Sequence, residues 1–253
     1  MKQPQNHFKA GLSGDRPQIG IWNTVGGNTI PEMLGGAGYD WVLVDCEHAA
    51  IETVEVLGAL QAIGQSPDVS ALVRPAANDP VLFKRLLDMG AQTLLVPYIE
   101  TADEAAQAVR AMRYGPNGIR GMAGMTRATR YGQVKDYFIT AEQELCLIVQ
   151  VETLTGIANL KAIAQTEGVD GVFIGPADLS ASMGLVGQME HPDVDAAICG
   201  AIKSLVEMGV PAGVMALNPK TAKRYIALGA SFVAVAVDLV LLAKAANDAR
   251  ALF

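Results

Sequence analysis

The sequence predicts an α/β fold, a (β/α)8 TIM barrel, and three observations carry that expectation. The chain has 253 residues and no Ser/Pro-rich linker or charge run that would mark a boundary, so residues 1–253 are expected to form one barrel domain. A phrase recurs along it: a helix tail, then Gly with a small or branched residue, then a short apolar strand. No GxGxxG follows a strand and no GxxxxGKS or GxxxxGKT occurs, which disfavours a nucleotide-binding open sheet.

In chain order, residues 18–22 form the first predicted strand. Gly36-Ala37 precedes the second, 41–44, and the third is 70–73. After a helix at 80–89, Gly90-Ala91 leads into the fourth, 93–96. A helix over 102–112 and a long excursion, 113–144, separate it from the fifth, 147–151; loops of that length are usually lids or interface arms. A helix over 155–165 and Gly168-Val169 introduce the sixth, 171–174. A helix over 193–208 and Gly209-Val210 introduce the seventh, 212–214. The eighth, 232–237, follows a helix at 219–228 and Gly229-Ala230. In each phrase the glycine is expected to take the left-handed position that ends a helix.

Composition narrows the function classes. An apolar fraction of 51% and a mean hydropathy of +0.27 are high for a soluble monomer, so a homo-oligomer is expected. The apolar run 232–237 stops at Asp238, far short of the roughly 18 residues a membrane helix needs. The N-terminal residues lack the apolar core of a signal peptide, and Cys46, Cys146 and Cys199 fit neither a disulfide framework nor a zinc pattern, so a cytoplasmic location is expected. Net charge is −7 and the pI about 5.0, with Lys and Arg scattered, which leaves no footprint for nucleic acid.

In such barrels the chemistry gathers at the C-terminal strand ends. There the chain has Asp45-Cys46-Glu47-His48 after the second strand, Arg74 after the third, Gln150 and Glu152 at the fifth, and Asp178 just beyond the sixth. Glu152 and Asp178 are hard oxygen donors on neighbouring strands, suited to Mg²⁺ or Mn²⁺ with room left for substrate and water. Gln150 and Glu152 are two apart and share a face while the strand stays extended. His48 beside carboxylates is a candidate base, against the plainer reading of a packed histidine. Asp45 and Glu47 could ligate metal or could form a hydrogen-bonded turn. Arg74 is either an oxyanion stabiliser or a structural ion-pair partner. Asp88, late in a helix, reads by itself as solvated or packing. Cys46 reads as packing, and Met122, Met125, Met183 and Met215 as core or loop fillers. No lysine lies in a predicted strand, so a Schiff-base mechanism is not in evidence and metal chemistry is expected instead.

Taken together, these residues resemble the HpcH/HpaI aldolases, metal-dependent class II pyruvate aldolases. The markers are Val44-Asp45-Cys46-Glu47-His48, Val73-Arg74-Pro75, Lys84-Arg85-Leu86-Leu87-Asp88-Met89-Gly90, Gly118-Ile119-Arg120-Gly121, Val149-Gln150-Val151-Glu152-Thr153 and the run from Val169 to Ser180. The resemblance covers nearly the whole chain. It implies a (β/α)8 barrel whose C-terminal helix, from Leu239 on, is exchanged with a neighbouring subunit, in a homohexamer. It also implies reversible cleavage of a 4-hydroxy-2-oxo acid, such as 4-hydroxy-2-oxoheptanedioate, to pyruvate and an aldehyde such as succinic semialdehyde, through a metal-bound pyruvate enolate. By resemblance, Glu152 and Asp178 bind the divalent metal (Mg²⁺, Mn²⁺ or Co²⁺), and Gln150 with the Ala177-Asp178 backbone holds pyruvate. His48 is the base, directly or through water, Asp88 raises its basicity, Asp45 orients it, and Arg74 steadies the enolate. The chain departs from the family pattern at Cys46, where Gly is usual, and at Ala50-Ile51, where Pro-Asn is common. The alternatives are a 2-dehydro-3-deoxy-glucarate or -rhamnonate aldolase of the same family, a citryl- or malyl-thioester lyase, and a non-catalytic barrel. The aldolase readings belong to aromatic or sugar-acid catabolism. The thioester lyase would need a coenzyme A site, for which no basic loop cluster is seen.

Overall fold

The computed structural model describes all of residues 1–253. Eight strands, β1 (Gln18–Asn23), β2 (Trp41–Asp45), β3 (Ser70–Arg74), β4 (Thr93–Val96), β5 (Cys146–Val151), β6 (Gly171–Ile174), β7 (Ala212–Met215) and β8 (Phe232–Val237), pair in parallel and in sequence order. The β1–β8 pair closes the barrel. Every predicted strand is present. Twelve helices accompany them: α1 (His7–Gly11), α2 (Thr29–Gly35), α3 (Thr53–Ile63), α4 (Pro80–Asp88), α5 (Ala102–Met112), α6 (Tyr137–Glu144), α7 (Leu154–Ala158), α8 (Leu160–Ala164), α9 (Pro176–Ser182), α10 (Pro192–Glu207), α11 (Pro219–Ala227) and α12 (Asp238–Arg250). No helix is long and apolar enough to cross a membrane.

Local chemistry sets the helix starts. Asp79 accepts from the N–H groups of Val81 (2.6 Å) and Leu82 (3.3 Å) with Pro80 at the first helical position, and Thr101 with Glu104 forms a capping box. Two expectations need correction. The predicted 155–165 helix is broken at Asn159, whose ψ of 4° leaves the helical range and whose Nδ2 donates to the Glu100 carbonyl at 2.8 Å. Gly90, Gly168, Gly209 and Gly229 do have positive φ, but Gly36 has φ −87°, and the left-handed residue of that turn is Gly38.

Alternation along the strands sorts the core into two layers. Outward residues such as Val42, Val44, Val73, Leu94, Val149 and Ile174 join a cluster of 45 buried residues with the helices. Inward residues form a separate cluster of 12 that includes Trp22, Trp41, Leu43, Leu72, Ile148, Phe173 and Phe232. Phe8 of α1 plugs the N-terminal end, edge-on to Trp41 (6.0 Å) and Phe232 (5.4 Å). The plug is held by Asn6, which caps α1 through Lys9 N–H and donates to Thr93 Oγ1 at 2.9 Å.

The excursion from Arg113 to Glu144 follows the downward run of α5, so it lies at this same N-terminal end. It contacts Asp88, Met89 and the first residues of the chain there. It cannot be a lid over its own barrel mouth. At the other end, the Asp238 carboxylate accepts from Thr24 N–H (2.9 Å), Thr24 Oγ1 (2.7 Å), Val25 N–H (3.1 Å), Asn23 Nδ2 (2.8 Å) and Leu239 N–H (2.7 Å). This joins the loop after β1 to the start of α12. Beyond Asp238, all of α12 is exposed, Leu239 to Leu242 included.

Candidate active site

The inward positions that fill the floor with apolar groups become charged at the mouth. Asp45 ends β2 and Arg74 ends β3, paired in register. Arg74 Nε and Nη2 donate to the two Asp45 oxygens at 2.8 and 2.6 Å. Its Nη1 lies 2.8 Å from Glu47 Oε2, an ion-pair contact without hydrogen-bond alignment, and its guanidinium stands 5.3 Å from the Trp22 ring centre. Burial pushes the Asp45 carboxyl up, but the Arg74 hydrogen bonds and charge, with two backbone N–H groups, hold it below the usual carboxylate range. The backbone donors are those of Glu47 (3.0 Å) and His48 (3.4 Å). Asp45 is therefore a hydrogen-bonded turn residue and Arg74's anchor. Its charge is already answered by the guanidinium on both oxygens, which makes it a poorer metal ligand than a carboxylate with no counter-charge.

His48 stands at the rim with 61% of its side chain exposed, and its Nε2 lies 3.7 Å from Glu47 Oε2. Glu47 thus bridges Arg74 and His48. Asp45 touches the His48 backbone and not the imidazole, and the carboxylate beside the ring is that of Glu47. Asp88 is not brought to His48 at all. It ends α4 at the opposite end of the barrel, where its carboxylate takes a 2.8 Å hydrogen bond from buried Arg120. Within one chain the two cannot meet; a His48–Asp88 pair can form only between subunits.

Gln150 and Glu152 do share a face, although β5 ends at Val151: Gln150 Nε2 donates to Glu152 Oε2 in a short contact. The other Glu152 oxygen accepts the Tyr98 N–H at 2.9 Å. Burial, reinforced by the charges of Glu47 and Asp178, pushes Glu152 up to about 7 against these two hydrogen bonds. No cation forms an ion pair with Glu152, and the buried Gln150 Oε1 has no protein partner. Asp178 sits in the first turn of α9, ahead of that helix's own hydrogen-bond ladder, beside the exposed Ala177. A Cβ on Gly175 would collide with Glu152 Oε2 and stand 2.8 Å from Gln150 Nε2, so only glycine leaves these groups their space.

A divalent cation fits this donor set. The charges of Glu47 and Asp178 raise the proton affinity of Glu152, which is 2% exposed with no counter-charge in contact. No three His, Cys, Asp or Glu side chains converge closely enough to chelate an ion unaided. The fit is two carboxylates, Glu152 and Asp178, with open positions left for substrate and water.

Two contributors are not singled out by the sequence: Trp22 packs on Arg74, and Tyr98 carries the left-handed backbone (φ 59°) that aims its N–H at Glu152. Glu47, expected as a metal ligand or a turn residue, instead bridges Arg74 and His48. Tyr98 was findable as a strand-end residue after β4, though its φ was not. Cys46 is half-buried, and burial pushes its thiol up to about 12, in keeping with a packing role.

The model of the family described as HpcH/HpaI aldolase/citrate lyase matches residues 18–245. A protein named pyruvate aldolase from Rhizobium etli is 51% identical over 253 residues, covering 100% of this chain and 99% of its own length. A protein named 4-hydroxy-2-oxo-heptane-1,7-dioate aldolase from Escherichia coli is 51% identical over 250 residues, with 98% and 95% coverage. The crystal structure of an HpcH/HpaI aldolase/citrate lyase family protein from Burkholderia cenocepacia superposes with a TM-score of 0.93 at 40% identity, over 97% of this chain and 98% of that one.

Proposed function

The chain belongs to the HpcH/HpaI aldolase/citrate lyase family and is a carbon–carbon lyase, and from that premise we propose a class II pyruvate aldolase acting on an unphosphorylated 4-hydroxy-2-oxo acid such as 4-hydroxy-2-oxoheptanedioate. The products are pyruvate and an aldehyde such as succinic semialdehyde. One observation carries the reading: a buried carboxylate without a counter-charge, Glu152, shares a barrel mouth with an arginine already fixed by two acids, Arg74.

Glu152 and Asp178 hold the divalent ion, Mg²⁺, Mn²⁺ or Co²⁺, which when bound supplies Lewis-acid polarisation of the substrate's keto oxygen. The Ala177-Asp178 backbone and the Gln150 side-chain amide help seat the pyruvyl half. His48 takes the proton of the C4 hydroxyl, directly or through one water. The C3–C4 bond then breaks toward C3, the aldehyde leaves, and the enolate is reprotonated at C3. Arg74 meets the negative charge that grows on the keto oxygen, and needs no reorganisation because Asp45, Glu47 and Trp22 already hold it. The exposed apolar start of α12 supports an assembly built through that helix, which we take to be a homohexamer acting in the cytoplasm. A monomer mass by light scattering would contradict the assembly.

The test is purified enzyme with pyruvate and a panel of aldehydes. Carbon–carbon bond formation with succinic semialdehyde in preference to tartronate semialdehyde and lactaldehyde is the expected result. No condensation with any of them would overturn the reading.

A further inference from the structure

At the opposite end of the barrel from Arg74 lies a cavity of about 370 Å³. Its walls come from distant parts of the chain: His7 of α1, Ser66 and Ser70 around the approach to β3, Gln92 before β4, and Arg127 and Arg130 of the excursion. No aspartate or glutamate contributes to them. Five arginines of the chain are withdrawn from full exposure: Arg74, Arg113, Arg120, Arg127 and Arg130. The first three are paired with carboxylates. The two that are not both line this cavity.

Withdrawing a guanidinium from water without an opposing charge is unfavourable. Arg127 has a single protein acceptor, the Met89 carbonyl at 2.9 Å, and Arg130 is close enough to weaken its hold on its proton, in addition to the effect of burial. The backbone that sets Arg130 is itself strained. Arg130, Tyr131 and Gly132 have φ of 50°, 54° and 78°, three left-handed residues in succession, two of them not glycine. Buried Thr129 pins the turn, donating to the Gly124 carbonyl at 2.8 Å and accepting the Gly132 N–H at 3.0 Å. Such strain persists where the surroundings enforce it, and here it holds two like charges at one wall.

We propose that this cavity is a binding site for a small oxyanion, a phosphate- or carboxylate-bearing ligand held by Arg127 and Arg130 with His7 as a further donor. Paired guanidinium forks match oxyanion geometry, and the polar wall supplies the remaining hydrogen bonds. The ligand is distinct from the aldolase substrate, which meets Arg74 at the other end. This also gives the excursion a task compatible with its position.

The experiment is isothermal titration and thermal melting of the purified enzyme with inorganic phosphate, sulfate and malonate, against chloride at matched ionic strength. Saturable binding of one oxyanion per chain, with a raised Tm, is expected. Arg130→Gln, at a turn held by backbone and Thr129, should weaken it by about tenfold, the equivalent of one good charge-assisted contact. Arg127→Gln combined with Arg130→Gln should abolish it. Phosphate and sulfate binding more tightly than malonate assigns a phosphate-type ligand; the reverse order assigns a carboxylate. Oxyanion responses identical in wild type and both variants, or no response beyond that of chloride, would overturn the proposal. So would a drop in assembly mass in the variants with an unchanged oxyanion response, since the missing carboxylate would then come from a second copy of the chain.

Discussion

The two ends of the barrel are built from the same strands in the same alternation, yet they differ in whether their groups are satisfied from within. Along β2 the inward residues are Trp41, Leu43 and Asp45; along β5 they are Cys146, Ile148 and Gln150, with Glu152 next. The floor closes on itself: Phe8, Trp41 and Phe232 fill it, and Gly20 and Gly213 stand where a Cβ would strike the Trp41 and Phe232 rings. The mouth does not close on itself, since Gln150 Oε1 lacks a partner and Glu152 lacks a counter-charge. Inside the barrel, inward-facing groups that pack the fold give way within two or three residues, along β2 and β5, to the groups assigned to the proposed chemistry.

Removing the metal should break the mouth most completely. EDTA should abolish cleavage, and Mg²⁺, Mn²⁺ or Co²⁺ should restore it. Full activity without metal, or a pyruvate adduct trapped by borohydride, would remove the class II assignment. Next in size, Arg74→Ala should lower kcat by about two to three orders of magnitude, the loss typical of one oxyanion donor. It should also stop exchange of pyruvate's methyl protons with deuterium, and Arg74→Lys should recover little. Exchange at the wild-type rate in Arg74→Ala would make Arg74 a structural ion-pair partner.

The floor should respond in the opposite currency. Trp41→Ala should lower unfolding free energy by about 3–5 kcal/mol in denaturant titrations, while the folded fraction keeps its kcat; a loss of kcat without a loss of stability would erase the division between the ends. A smaller effect concerns pH. Glu152's folded value is raised to about 7 from an ordinary 4.5, so between those values the metal-free fold holds a proton that the unfolded chain has lost. The metal-free fold therefore loses stability as pH rises through that window, and metal must displace the proton below pH 7. Metal affinity, read by chelator competition, should fall about tenfold per pH unit below 7, and a flat profile from 5.5 to 7.5 would contradict it. Smallest of all, Asn6→Ala should cost about 1 kcal/mol of stability, the usual loss of a helix cap, and leave mouth chemistry unchanged.

The strands were legible because buried parallel strands are short unbroken apolar runs and each αβ turn is marked by glycine. The mouth residues were legible because topology alone sends strand-end side chains there. What was hidden was pairing. Nothing in the spacing shows that Asp45 spends both oxygens on Arg74, that Glu47 is the residue next to the His48 ring, or that Asp88 belongs to the far end with Arg120. The break at Asn159 was hidden for a like reason, since it depends on a carbonyl 59 residues away.

The Asp238 carboxylate has a consequence for the order of events during synthesis. Its partners Asn23, Thr24 and Val25 leave the ribosome more than two hundred residues before it does, and it is also the first residue of α12. The direction of that exposed arm is consequently undefined until the first and last strands have zipped together. An unclosed barrel has no aimed arm to offer a neighbour, so in the proposed assembly through α12 the joining of other chains would wait for completion of the barrel. Asp238→Asn should uncouple the two, giving a chain whose barrel closes while its assembly, followed by light scattering after refolding, lags behind.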